Sequence, residues 1–479
     1  MNNQQAQPVG QLPGYITSAV PNPKTNRAPW YKNSGPTYAG IFLWFAFWDP
    51  ISKNGLSPGT LGATLMGVVI GALICHFLFF LVPGRLGMQT GLPLYIVGSS
   101  TFGAVGSLIM PGLLMGVLQF GWLGVNTFYS STALADGFKM PGLFVPICII
   151  FALGAAFVGL KGIQYVAKVS TYLPIIPLVV LVMGLVFFAG SAGDYKAAPA
   201  TAGEASGGGF NAMLLMISAI VGFFATAGAA GVDICMSNRN KSDVSMGGIV
   251  GIIIAIVFTA GVSCIVMAGA HAAGAVVPDA FKMTAALEKK LSPGLFATVM
   301  IGLTLAAFPG ACFSSFIAAN SFRTTMPKVN PFISVGIGAV VSIILAVTGV
   351  AGNLGGVFGL IGASFGPICG AMMVDYLLSG GKWTGPRAGF NPAGWIAWVL
   401  GFIVGILPNP MLPDFVRPNV PFGPLASFIG VDRFWSQLCM SCSPVAAFIV
   451  GAVVYLLCSK LGMRSAVVPL PGALAEATK

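Results

Sequence analysis

At 479 residues the chain is 56% apolar and only 7% charged, with a mean hydropathy of +0.89. Soluble domains carry roughly 25% charge, so this composition excludes a fully water-facing surface, and lipid must solvate much of it. The net charge of +11 does not mark a nucleic-acid binder, because the 23 Lys and Arg residues are scattered in ones to threes between apolar stretches and form no basic stripe.

Residues 1–35 are polar, rich in Pro and Asn, and carry Lys24, Arg27 and Lys32 with no acid, which predicts a disordered cytoplasmic tail and no signal peptide. A helix needs about 20 apolar residues to cross the hydrocarbon core. Runs of that kind predict an all-α polytopic membrane protein with twelve spans, at 37–56, 60–83, 104–132, 141–160, 166–192, 210–233, 246–272, 294–321, 331–350, 353–379, 390–409 and 438–459. Residues 36–192 then hold spans 1–5, 210–380 spans 6–10 and 390–460 spans 11 and 12, with 461–479 as a C-terminal tail. With the N-terminus in the cytoplasm, 15 of the 23 Lys and Arg fall on cytoplasmic segments, so the basic bias predicts both termini inside. Six of the nine Cys lie in apolar runs as small hydrophobes, and the Cys439/Cys442 pair has no second pair or His cluster to make a metal site.

Transporters often bind substrate at mid-membrane, where helices unwind. Two breaks are predicted there. Span 1 carries Phe45-Ala46-Phe47-Trp48-Asp49-Pro50, where Pro50 frees carbonyls near Ala46. Span 6 carries Gly222-Phe223-Phe224-Ala225-Thr226-Ala227-Gly228, a soft stretch ending near Gly231. Both are first members of five-helix halves, where an inverted-repeat transporter places its broken helices; kinked packing helices are the other reading. In span 3, Gln119, Trp122 and Asn126 share one helix face. An indole beside two amides suits a flat polar ring, stacked on its face and read along its edge, although a polar seam between helices would look the same. In span 8, Ser314 and Ser315 precede Asn320. Either the hydroxyls bond back within the helix, or they belong to a sodium site of neutral oxygens completed by span 1. Asp49 fits a cation or proton ligand and an ordinary outer-end residue equally. Asp233 and Asp375 sit near cytoplasmic helix ends, His76 and His271 read as packing residues, and Glu288-Lys289-Lys290 reads as a solvated face.

These residues resemble the nucleobase:cation symporter-1 family, whose members carry cytosine, purines, uracil, thiamine, allantoin or hydantoins. Gln119-Phe-Gly-Trp122-Leu-Gly-Val is similar to the cytosine permease motif, and Gly84-Arg85-Leu-Gly-Met-Gln-Thr-Gly and Ser100-Thr-Phe-Gly to the family's preceding loop and helix start. Gly222-Phe-Phe224-Ala-Thr226 with Asp233, Gly366-Pro367 through Asp375-Tyr376-Leu377, and Ser314-Ser315 with Asn320 resemble its spans 6, 10 and 8. The resemblance implies a leucine-transporter-like five-plus-five inverted repeat with two added C-terminal helices. It implies a substrate stacked between Trp122 and Phe224, beside Phe223, with Gln119, Asn126, Thr226 and Asn320 bonding the ring edge. It also implies sodium between carbonyls near Ala46 and Asp49, the Ala311 carbonyl, and the hydroxyls of Ser314 and Ser315. Three departures stand out. Asp233 is followed by Ile-Cys-Met-Ser instead of Phe-x-Arg, span 8 lacks a Thr-Thr-Asn-Asp run, and span 1 introduces Asp49-Pro50.

The expected activity is secondary active symport of a nucleobase-like heterocycle, coupled to Na+ or H+, in the plasma (inner) membrane with a monomer as the working unit. The alternatives are an amino-acid or vitamin-precursor carrier on the same fold, or a channel. No phosphate-cradling GxxxxGK[ST] sequence supports ATP-driven pumping, and no convergent acid/base or metal cluster supports an enzyme.

Overall fold

A computed structural model describes residues 12–57, 59–161, 172–197, 208–276, 282–413, 422–428 and 430–471. The predicted tail ends 1–11 and 472–479, and the start of the fifth span, 166–171, lie outside the described residues. Span 1 forms two pieces, α1 (Ser34–Phe42) and α2 (Trp48–Leu56). Then come α3 (Leu61–Thr90), α4 (Leu108–Gly137), α5 (Pro141–Lys161), α6 (Ile175–Asp194) and α7 (Gly209–Ala229), with α8 (Gly231–Cys235) directly after α7. The second half holds α9 (Lys241–Ala272), the short α10 (Met283–Glu288), α11 (Pro293–Thr325), α12 (Pro331–Val347), α13 (Leu354–Leu378), α14 (Pro392–Ile406) and α15 (Ser443–Lys460). Among the described residues nine of these are long and apolar enough to cross a bilayer, while α12 and α14 are apolar but shorter. The chain is a multi-pass membrane protein.

Start signals are local and explicit. Pro stands in the first turn of α11, α12, α14 and α15, where its missing N–H costs nothing. Side chains of Thr60, Asn240, Asn330 and Asn353 accept from the first free N–H groups of α3, α9, α12 and α13.

Two groups of helices form around the centre. In one, α4 packs along α11 and α12, and α5 lies against α11, α12 and α4. In the other, α7 packs on α3 and α2, and α9 on α2, α3 and α6. α13 joins α7, and α14 and α15 close over α13. Apolar side chains that a soluble fold would bury stand outward on α5 and α6, with Ile150 73% and Val186 77% exposed, which makes these faces lipid-facing.

The two predicted breaks come out differently. Span 1 is interrupted at Leu43–Phe47, with Trp44 extended (φ −68°, ψ 119°) and a 3₁₀ turn before α2. Pro50 falls in the first turn of α2 and has no N–H for the Ala46 carbonyl. Span 6, in contrast, stays helical from Gly209 to Ala229, and only Ala230 leaves the helix. Its glycines serve close approach instead of unwinding. A Cβ on Gly222 would sit 2.7 Å from the Phe358 carbonyl oxygen of α13, and one on Gly228 2.8 Å from Phe79 of α3.

The predicted disordered tail is another correction. Residues 12–33 dock on the loops between helices: Tyr15 Oη donates to the Ala104 carbonyl (2.6 Å), Asn22 N to Gly91 (2.8 Å) and Ala28 N to Ser237 (2.8 Å). Burial, with Tyr95 adding to it, raises the Tyr15 phenol above its ordinary value. Residues 466–468 of the predicted C-terminal tail also dock, on Pro386 and Ala388. Asp375, near the C-terminal end of α13, is only 3% exposed. It accepts from Tyr455 Oη at 2.7 Å and pairs with Arg387 at 3.5 Å. Cys439 and Cys442 are buried free thiols. His76 is buried where α3 meets Gly248 of α9, and Glu288 pairs with Lys139 at 3.4 Å, both side chains exposed.

Candidate functional site

The break in span 1 delivers Trp44 to the meeting point of α4, α7 and α13. An extended residue between two helices points its side chain off the helical pattern, and here the indole enters a ring cluster. Trp44 lies parallel to Phe223 of α7 (centroids 6.1 Å, 13° between planes) and edge-on to Trp122 (6.2 Å, 75°) and Tyr129 (6.0 Å, 78°) of α4. Trp122 meets Phe223 edge-on at 5.3 Å and Phe358 of α13 at 5.9 Å. All of these separations lie in the range of direct aromatic contact. One side-chain hydrogen bond crosses the cluster, from Trp122 Nε1 to Thr226 Oγ1 at 3.2 Å.

Of the predicted substrate residues, Trp122, Phe223 and Thr226 therefore come together. Phe224 does not face Trp122: successive side chains on a helix diverge by about 100°, and Phe224 turns to Tyr38 and Phe42 with none of its surface exposed. Asn126 lies one turn along α4, its Nδ2 donating to the Trp122 carbonyl (2.9 Å). A Cβ on Gly310 of α11 would lie 3.5 Å from its Oδ1. Gln119 is buried on the same face, its Nε2 at 3.5 Å from Met115 Sδ. Asn320 is exposed, and no side-chain hydrogen bond among the described residues ties it to the rings.

The predicted cation ligands stand on two separate supports. Ala46 is fully buried at the break. The Asp49 carboxylate accepts from the Met283 N–H at 2.9 Å, so this side chain holds the start of α10. The neighbouring Trp48 carbonyl is taken, accepting from Ser52 Oγ (2.9 Å) and Ser263 Oγ (3.2 Å). On α11, Ser314 and Ser315 donate to the carbonyls four residues back, Gly310 and Ala311, each at 3.2 Å. Span 1 packs mainly on α7 and α9, and α11 on α4 and α5. The donor chemistry is all oxygen, as a hard monovalent cation needs, but no hydrogen bond joins the two supports.

Trp44, Tyr129 and Phe358 were not among the predicted site residues. Trp44 adjoins the predicted break, and Tyr129 lies seven residues from Trp122 on one face of α4, so both had a local signal. Phe358 had none; only the packing of α13 on α7 brings it in.

No protein-family model matches the chain. Cytosine permease of Escherichia coli (strain K12) is 26% identical to it over 403 residues, covering 79% of this chain and 87% of the permease. Mhp1, described as a nucleobase-cation-symport-1 family transporter and solved closed with bromovinylhydantoin bound, aligns with 98% of this chain and 99% of its own, at a TM-score of 0.63 and 16% identity. The chain thus has the fold of a nucleobase-cation-symport-1 family transporter and is similar in sequence to cytosine permease over most of its length. A Na+-coupled sialic acid symporter shares the fold at a TM-score of 0.59 and 14% identity, over 93% of each chain. On this fold the indole cluster lies between the two helix groups, at the crossing of the broken span 1 with α4 and α7.

Proposed function

We propose that the chain is a secondary active symporter that carries a nucleobase-like heterocycle, coupled to a cation, and performs no covalent chemistry. The observation that carries this reading is the ring cluster of Trp44, Trp122, Phe223 and Phe358 at the interrupted span, in a chain similar over most of its length to cytosine permease. Planar faces offer stacking, and Thr226, Asn126 and Gln119 supply polar groups around them. Asn320 would join only if α11 moved its exposed face toward the rings. Phe223, and not Phe224, is the α7 ring that meets Trp122.

Sodium is the coupling ion we favour. Its ligands would be the Ala46 and Asp49 carbonyls, the Ala311 carbonyl and the hydroxyls of Ser314 and Ser315. The Ala46 carbonyl is deprived of its helical partner by Pro50, and two hydroxyls bonded only within α11 can rotate to a cation. Closing that shell requires α11 to approach span 1, which gives a reason for coupling: the ion favours the arrangement of the two helix groups that also holds substrate. The pairing of α4 with α11, α5 with α12, and span 1 with α7 supports a five-plus-five inverted repeat. The basic bias supports cytoplasmic termini in an inner membrane, and the site lies within one chain, so a monomer suffices.

Uptake of labelled cytosine and labelled hydantoin into proteoliposomes, with and without an inward sodium gradient, tests this. Accumulation above the external concentration only with the gradient is expected. Entry that merely equilibrates, or accumulation driven equally by a proton gradient without sodium, would overturn facilitated symport or the ion assignment respectively.

A further inference from the structure

The Trp44 indole N–H is buried and has no hydrogen-bond acceptor among the described residues. A buried donor left unmatched costs about 1–3 kcal/mol, and each such group in a native fold calls for a reason. The contrast with Trp122 is informative, because that indole, in the same cluster, has Thr226 as its acceptor at 3.2 Å. Thr226 Oγ1 accepts this bond, and its own hydrogen has no acceptor among the described residues. Two donors are thus left over around the same rings. Trp48 also has an unmatched N–H, but its ring makes no contact with the cluster, and its backbone carbonyl is already engaged by Ser52 and Ser263.

We propose that the Trp44 N–H is a specificity-determining donor. It bonds a carbonyl oxygen on the edge of the substrate ring, while the rings of the cluster offer apolar faces, with the Thr226 hydroxyl as the second donor. This rests on the symporter reading above and narrows it. The ligand must present at least one acceptor on the edge that faces span 1, so a flat ring without a carbonyl on that edge is rejected even though it stacks equally well. The rejection follows from the orphaned donor, which stays buried and unpaired when such a ring binds. It also ties recognition to the break, because an extended Trp44 exists only while span 1 is interrupted at Leu43–Phe47.

The test is equilibrium binding by calorimetry to purified full-length protein in sodium-containing buffer, with two ligand pairs that differ by one carbonyl: cytosine against 4-aminopyrimidine, and hydantoin against imidazolidin-2-one. Wild type should prefer the member with the additional carbonyl in at least one pair by about tenfold or more. Trp44→Phe keeps a ring and deletes the donor. It should bring that preference down to about threefold or less, leaving affinity for the member with one carbonyl fewer nearly unchanged. Replacing the Trp44 indole by benzothiophene, which keeps its shape and lacks the N–H, should do the same and guards against a packing defect in Trp44→Phe. A preference that survives in both variants overturns the proposal, as does a wild type that binds both members of each pair alike. If wild type binds neither cytosine nor hydantoin, the symporter reading itself fails and this inference falls with it.

Discussion

The ring cluster at the crossing of span 1 with α4 and α7 and the polar knot around Arg387 are both buried, yet they are built on opposite terms. In the knot, Arg387 donates to the carbonyls of Ser100 (2.8 Å) and Ser465 (2.9 Å) and pairs with Asp375 at 3.5 Å. Asn391 spans the same loops, donating to Thr101 at 2.7 Å and accepting from Ser465 N at 3.0 Å. In the ring cluster, aromatic contacts dominate, one side-chain hydrogen bond crosses, and an indole N–H goes unmatched. Low dielectric makes satisfied networks rigid and unsatisfied groups costly. The knot is therefore a satisfied, fixed joint, and the cluster holds polar groups that the described residues leave without partners.

Breaking the knot should have the largest effect. Arg387→Met leaves Asp375 buried without its cation and should cost about 3–5 kcal/mol, read as a fall in the thermal unfolding midpoint of the detergent-solubilised protein. Adding Asp375→Asn should recover much of that loss, because no uncompensated charge remains; a double variant as unstable as the single one would show that the knot works through shape alone. Next comes the cluster. Trp122→Ala should abolish uptake in proteoliposomes while the protein still folds, and uptake with unchanged apparent affinity would remove Trp122 from the site. Thr226→Val, which takes away the acceptor of the Trp122 N–H, should weaken substrate binding by about 1–3 kcal/mol, measured by calorimetry, and should disturb the midpoint less than Arg387→Met. The smallest effect belongs to the exposed pair Lys139–Glu288. Lys139→Ala should shift stability by about 0–1 kcal/mol, which sets the scale against which the buried pair is judged.

The two breaks show how far local sequence reaches. Pro50 lacks a backbone donor whatever surrounds it, so an interruption just before it was legible, and the helix gives way at Leu43–Phe47. Gly222 and Gly228 only permit bending, and neighbouring helices decide how that freedom is used. Here Phe358 and Phe79 press against the α7 backbone, and the helix stays continuous. The same limit explains the site. Gln119, Trp122 and Asn126 could be placed on one face by helical spacing, but whether Phe223 or Phe224 meets Trp122 depends on the rotation of α7, which its packing on α3 and α13 sets. The tail was misread because polar composition reports a lack of core-forming residues, not the hydrogen-bond partners that the loops at Gly91 and Ser237 provide.

By itself, then, the order of residues determined an apolar multi-pass helical chain, the position of nearly every long helix, the interruption at span 1 and the likeness to cytosine permease. Apolar run length, prolyl chemistry and helical periodicity are properties of neighbouring residues and need no partner. Tertiary structure alone decided that Phe223 and not Phe224 faces Trp122, that Arg387 and Asp375 share a buried pair, and that the Trp44 N–H has no acceptor among the described residues. Each of these depends on the rotation and depth of helices distant in sequence, which are set by how their surfaces interlock.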